Sequence, residues 1–226
     1  MSSTLPIKRL AFVLACLCGS FVFSQDLTET TIPEPQDAPQ AQSARERKVA
    51  LSFDLYRPSP SGNNFFAESA SGSLGFNFDL QLFVYKQFFL GGGIGDSYFD
   101  NKDISKTGNY EKTTLSSHDF YVGYEFLPLE DFRLGVAVTI VGNSRYKNNQ
   151  SNTRKVYQVD HGNLRNYQTY FAYEVDRTLS VFIKYTYRSD RTKIQVPSAL
   201  NSYFEKTAVH QIGFGLKLYF GEKSVF

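Results

Sequence analysis

In the stretch from Ala208 to Phe220 apolar residues alternate strictly with others from Ile212 onward, and this period constrains the fold more than any other feature of the chain. Ile212, Phe214, Leu216, Leu218 and Phe220 fall on one face of a strand, and Gly213, Gly215, Lys217 and Tyr219 on the other. A soluble sheet buries its apolar face and shows charge to water. A barrel in lipid does the reverse, with apolar residues outward and small or polar ones in the lumen.

The same period runs through seven earlier stretches, each close to the ~10 residues a tilted strand needs to cross a bilayer. Their apolar faces begin with Val49, Leu51, Phe53 and Leu55, then Phe76, Phe78, Leu80 and Leu82, then Phe88, Leu90 and Ile94. Phe120, Val122, Tyr124 and Phe126 form the fourth, and Phe132, Leu134, Val136, Val138 and Ile140 the fifth. The sixth is Tyr167, Thr169, Phe171, Tyr173 and Val175; the seventh is Leu179, Val181, Ile183, Tyr185 and Tyr187. No stretch holds a helical period. The connections alternate in length. Those near Lys86, Leu129 and Arg177 are short, whereas 57–74, 97–115, 144–163 and 189–206 are long and polar. Short turns at one end and long loops at the other are the pattern of outer-membrane barrels, with the short turns periplasmic. A soluble lipocalin-like barrel also alternates, but it would leave Asp54, Asp79, Glu125, Arg133, Glu174, Lys184 and Lys217 outside. It also gives no reason for glycines gathering on the non-apolar face. The expected fold is therefore all-β: an antiparallel up-and-down transmembrane barrel of eight strands, spanning 48–226.

Residues 1–24 read as a cleaved signal peptide, with Lys8 and Arg9 before an apolar core and Val22-Phe23-Ser24 at the cleavage site. Processing as a lipoprotein at Cys16 is the alternative, but the apolar run continues to Phe23. Cys16 and Cys18 are the only cysteines and leave with the leader, so no disulfide, Cys metal site or thiol nucleophile is expected in the mature chain. Residues 25–47, with Pro33, Pro35 and Pro39, read as a disordered polar periplasmic linker. The formal charge is +2, and two of the basic residues, Lys8 and Arg9, lie in the leader; the mature chain is formally neutral and no field argues for nucleic acid. Aromatics make up 16% of the chain with no Trp, which is rich for a soluble domain and ordinary for a barrel with aromatic girdles.

Leader, spacer, four hairpins and a last strand ending Lys217-Leu218-Tyr219-Phe220 resemble the small outer-membrane barrels of the OmpA/OmpX type, in the porin-like family of outer-membrane barrel domains. The resemblance implies a Gram-negative outer-membrane location and biogenesis through the barrel-assembly machinery. It also implies a closing aromatic that serves as the assembly signal: Phe220 by this pattern, with the terminal Phe226 as rival. The cell-wall anchoring of longer members is not expected. Within the lumen, Asp54, Asp79, Lys184 and Lys217 are expected to converge, and Glu125 and Arg133 to pair across the second short turn, giving an ionic plug. An eight-stranded barrel is just wide enough for its side chains to fill it. A structural or interaction role in the envelope is therefore expected, with a narrow small-solute channel and a lipid A-modifying enzyme as alternatives.

For the enzyme, Ser116-Ser117-His118-Asp119 is the only cluster of catalytic type. Outer-membrane lipid A deacylases are similar in carrying a His and a Ser two apart on the lipid face. The order here is reversed, Ser116 and His118 face lipid, and Asp119 points inward, so no enzyme activity is expected. His161 and His210 lack partners at ligand spacing, and Gly91-Gly92-Gly93-Ile94-Gly95 has no helix or Lys-Ser/Thr after it; no metal or cofactor is expected. Arg145, Lys147, Arg154, Lys155 and Arg165 would lie above the anionic leaflet, where contact with lipopolysaccharide is expected. A monomer is expected.

Overall fold

The alternating segments close on themselves. The computed structural model describes residues 47–103, 105, 110–150 and 156–221. The leader, the linker apart from Arg47, Arg154, Lys155 and Phe226 lie outside the described residues. Eight strands follow one another: β1 (Val49–Ser61), β2 (Ala70–Tyr85), β3 (Phe88–Asn101), β4 (Lys112–Leu129), β5 (Phe132–Asn149), β6 (Val156–Glu174), β7 (Leu179–Thr192) and β8 (Lys206–Phe220). Each pairs antiparallel with the next, and β8 pairs with β1 from Val49↔Phe220 to Ser61↔Ala208, closing the barrel. No strand edge is left to water or lipid, which satisfies the backbone within a bilayer.

The outward positions form an apolar belt. Phe120 and Phe214 are each 68% exposed and Ile183 63%, and similar side chains stand around the whole wall. A continuous exposed surface of this kind belongs in lipid. Along β3, the rise from Phe88 to Tyr98 is about 33 Å, or about 25 Å along the membrane normal at the usual tilt. Paired aromatics line its lower border, Phe88–Tyr124 at 4.6 Å and Tyr124–Phe126 at 4.7 Å edge to face and Phe132–Phe171 stacked at 5.0 Å.

The short turns are built by local chemistry. Lys86 takes a left-handed conformation, φ 48°, which suits a two-residue hairpin between β2 and β3. Between β6 and β7, Asp176 Oδ1 accepts from the Thr178 and Leu179 amides at 2.6 and 2.8 Å and from the Thr178 hydroxyl at 2.8 Å. These three bonds hold the exposed Asp176 carboxyl below the usual carboxylate range, the Thr178 amide contributing most. Connections at the other end are longer, although strands of up to 19 residues take up part of the segments read as loops. Among the described residues two short α-helices lie there, α1 (Phe65–Ser69) and α2 (Asn201–Phe204).

Alternation breaks at Ser73-Leu74 near the upper end of β2 and again on β5. Ile140 and Val141 both face outward, and the register jumps from Val138↔Tyr167 to Asn143↔Asn163. This bulge flips the remainder of β5, so Gly142, Ser144 and Tyr146 turn inward.

The lumenal glycines are explained by packing across strands. A Cβ on Gly91 would lie 2.2 Å from the Tyr121 ring, and one on Gly135 would lie 2.0 Å from the Tyr170 ring. Both rings belong to the residue directly opposite on the neighbouring strand. Tyr56 over Gly75, Phe89 over Gly123 and Phe182 over Gly215 repeat the arrangement. Each bare backbone position lets an aromatic ring lie flat against the inner wall.

Candidate functional site

The lumen is filled in three layers. The lowest is centred on Glu125 of β4, which is fully buried. Its Oε2 accepts from Arg133 Nη1 at 2.9 Å; its Oε1 accepts from Lys217 Nζ at 2.6 Å, the Tyr170 hydroxyl at 2.5 Å and the Tyr219 hydroxyl at 2.8 Å. Arg133 also binds Glu174 through Nε. Two acids face two bases, so the layer is formally neutral. The cations are caged by rings: Lys217 Nζ lies 4.1 Å from the Tyr170 centroid, and the Arg133 guanidinium 4.5 Å from that of Tyr219. Ala50, Phe83, Phe89, Tyr121, Ala172 and Phe182 complete an apolar collar around it.

In the middle layer one ionic cluster joins three strands. Lys184 Nζ of β7 binds Asp54 of β1 and donates to Asp79 Oδ2 of β2 at 3.0 Å. Asp119 points inward from β4 and accepts from the Thr139 hydroxyl at 2.6 Å and Asn166 Nδ2 at 3.1 Å. Arg188 grips Asp190 two residues along the same inner face, Nε to Oδ2 at 2.7 Å and Nη2 to Oδ1 at 3.1 Å.

The structure corrects the expected grouping in one respect. Asp54, Asp79 and Lys184 do meet, and Arg133 does reach Glu125, on the diagonal beside the directly opposed Glu125↔Gly135 pair. Lys217 leaves the first set and joins the second. It stands opposite Ser52 and Ser180, one inward rung nearer the short turns than Asp54, which faces Gly215. In a sheared barrel, equal counts from the turns do not give equal heights.

The third layer closes the extracellular mouth. Asn64 caps α1 by accepting from the Ala67 amide at 2.9 Å, which turns Phe65 and Phe66 down into the barrel. Phe66 meets the Phe99 ring at 4.7 Å and Tyr146 at 5.7 Å, while Phe65 stacks on Phe204 of α2 at 4.9 Å. Leu115 and Val209, both fully buried, support them from the walls. The sequence predicts a polar and ionic lumen; this cap and the aromatic collar add apolar layers to it. Their signals were the Asn64-Phe65-Phe66 triplet in a polar connection, and Phe83, Phe89, Phe182 and Tyr219 on inward-facing strand positions.

The remaining candidates lie on the outer wall. His118 is exposed, with its Nε2 3.5 Å from Asn143 Nδ2; among the described residues no hydrogen bond joins it to Ser116, and Asp119 points into the lumen. Arg145 and Arg165 are exposed, on β5 and β6 rather than in a loop, and Lys147 is half-buried higher on β5. Phe220 is the last residue of β8, paired with Val49 and 48% exposed.

A closed eight-stranded barrel with an apolar outer belt and a filled lumen defines a small outer-membrane-type β-barrel. A family model described as "Putative MetA-pathway of phenol degradation" matches residues 104–226, and the chain belongs to that family. No curated protein matches the sequence. Among solved structures, the outer membrane protein OprG from Pseudomonas aeruginosa aligns over 79% of this chain and 98% of its own, at 12% identity and a TM-score of 0.52. At this identity the likeness is one of fold. Ail, the attachment invasion locus protein of Yersinia pestis, aligns over 77% of this chain and 99% of its own (11% identity, TM-score 0.47). Neisserial surface protein A aligns over 76% of this chain and 97% of its own (12% identity, TM-score 0.46).

Proposed function

We propose that this protein is a closed structural or interaction barrel of the Gram-negative outer membrane, presenting its wall and loops to the envelope without conducting along its axis or catalysing a reaction. One observation carries the reading: Glu125, Lys217 and Arg133 are each at most 2% exposed, in a collar of aromatic rings that spans the bore. The Lys184 layer and the α1 cap lie in series above it. Liposomes containing the folded barrel should swell in arabinose no faster than empty liposomes. Swelling at porin-like rates would overturn the proposal.

A second reading, passage of small phenolic compounds, is favoured by the family description; the pocket beside the cap, about 40 Å³, is smaller than a phenol molecule, so this reading requires the cap to move. Phe65, Phe66, Tyr110 and Tyr146 supply ring faces there, with Asn148 and Asp160 as polar partners for a hydroxyl. Saturable binding of phenol to the folded barrel, abolished by Phe66→Ala, would move this reading ahead.

A further inference from the structure

On the outer wall formed by β6, β7 and β8, an aromatic row follows the register obliquely toward the mouth. Tyr167 pairs with Tyr187, and Tyr187 with His210, with ring centroids 6.2 and 5.3 Å apart. The Tyr185 hydroxyl lies 2.8 Å from His210 Nδ1. Rows of this kind sit at the boundary between hydrocarbon and headgroups. Immediately above it the wall becomes basic. Arg165 stands two residues further along β6, and the next rung brings Arg191 and Lys206 opposite each other on β7 and β8. Arg145 points outward at a similar distance along β5.

This charge is poorly compensated. Glu205 binds Arg191 at 2.7 Å, and among the described residues no acid engages Arg145, Arg165 or Lys206. The upper outward positions of β3 carry Asp96 and Asp100 instead, so the positive charge belongs to one flank. The β5 bulge adds the second ingredient. Ile140 and Val141, 63% and 58% exposed, border a groove of about 580 Å³ that runs up to Arg165, Arg191 and Lys206. An apolar lower part and a cationic upper part, divided at headgroup height, complement an amphiphile with acyl chains and phosphates.

We propose that this flank binds one anionic glycolipid of the outer leaflet, the lipid A part of lipopolysaccharide. An acyl chain lies against Ile140 and Val141, and a phosphate sits between Arg165, Arg191 and Lys206. The site differs from the loop contact expected from sequence: it keeps Arg145 and Arg165, adds Arg191 and Lys206, and uses a groove made by the bulge.

The full barrel, folded in phosphocholine micelles, tests the site by titration with bisphosphorylated lipid A, dephosphorylated lipid A, inorganic phosphate and heparin. Wild type should bind bisphosphorylated lipid A saturably and at least about tenfold more tightly than the dephosphorylated form. Arg165→Gln/Lys206→Gln should remove that preference, and Ile140→Ser/Val141→Ser should weaken both lipids alike. Heat-modifiable migration identifies folded samples, and Lys112→Gln, on β4, should bind as wild type does. Equal affinity for the two lipids would overturn the proposal. So would unchanged binding by the folded Arg165/Lys206 variant. Competition by inorganic phosphate at equal concentration would show a simple anion site, and tight heparin binding without lipid A binding a soluble polyanion site; either result overturns it.

Discussion

Replacing Glu125 by alanine removes the acceptor on which the lowest lumenal layer converges. Four donors lose it at once, but they are not left equally exposed to the loss. Arg133 retains Glu174, and the two tyrosines lose one neutral-to-charged bond each. Lys217 loses the only carboxylate it binds among the described residues and keeps the Tyr170 hydroxyl at 2.7 Å and the faces of three rings. Breaking a buried ion pair from one side costs about 3–5 kcal/mol, mainly because the remaining charge stays desolvated. The lost tyrosine bonds fall within that figure rather than adding to it, since removing the carboxylate also leaves room for water. Lys217→Met should cost less, about 2–3 kcal/mol, because methionine suits an aromatic cage while Glu125 keeps Arg133 and both tyrosines. The double variant Glu125→Ala/Lys217→Met should be no less stable than Glu125→Ala alone, a coupling of about 2 kcal/mol or more. Urea unfolding in lipid vesicles, followed by circular dichroism and gel migration, measures all three. Single variants within about 0.5 kcal/mol of wild type, or strictly additive losses, would refute the view that this layer is a dry, paired network.

Four further outcomes follow from the same structure. Gly135→Ala should displace the Tyr170 ring, whose Cζ would be 2.0 Å from the new Cβ, and cost about 1–3 kcal/mol in the same unfolding assay. Phe65→Ala/Phe66→Ala should loosen the mouth without unfolding the barrel, giving rapid protease cleavage near α1 with an unchanged melting transition. Asp176 is held below its unfolded carboxylate range, so the turn's contribution should be full above about pH 4 and be lost as pH falls through the folded value. The stability difference between wild type and Asp176→Ala should therefore be flat from neutral pH down to that point and then close. Phe220→Ala should slow assembly into the outer membrane in cells while Phe226→Ala does not, read as the fraction of heat-modifiable protein; the reverse would assign the signal to Phe226.

The strands and the barrel were legible because a period of two with aromatic ends has few solutions over eight segments. The break at Ile140-Val141 was also visible as two adjacent apolar residues, although only the register shows that the second half of β5 turns over. The position of Lys217 was not legible, since shear enters only when strands pair. The aromatic collar was hidden for a different reason. Phe83, Phe89 and Tyr219 lie near strand ends, where girdle aromatics also stand, and only their parity separates lumen from lipid. Composition averages over the loops and makes them polar, while the cap depends on one Asn–Phe–Phe junction. The basic flank needed three strands side by side, because Arg165, Arg191 and Lys206 are remote in sequence.

Single-channel conductance in planar bilayers tests the closed lumen most directly. Wild type should show no steady conductance in 1 M KCl. A variant that empties the lower layer, Glu125→Ala/Tyr170→Ala/Lys217→Ala, should open only when combined with Lys184→Ala and Phe65→Ala/Phe66→Ala, because the three layers block in series. Steady conductance from the wild-type barrel would contradict the account.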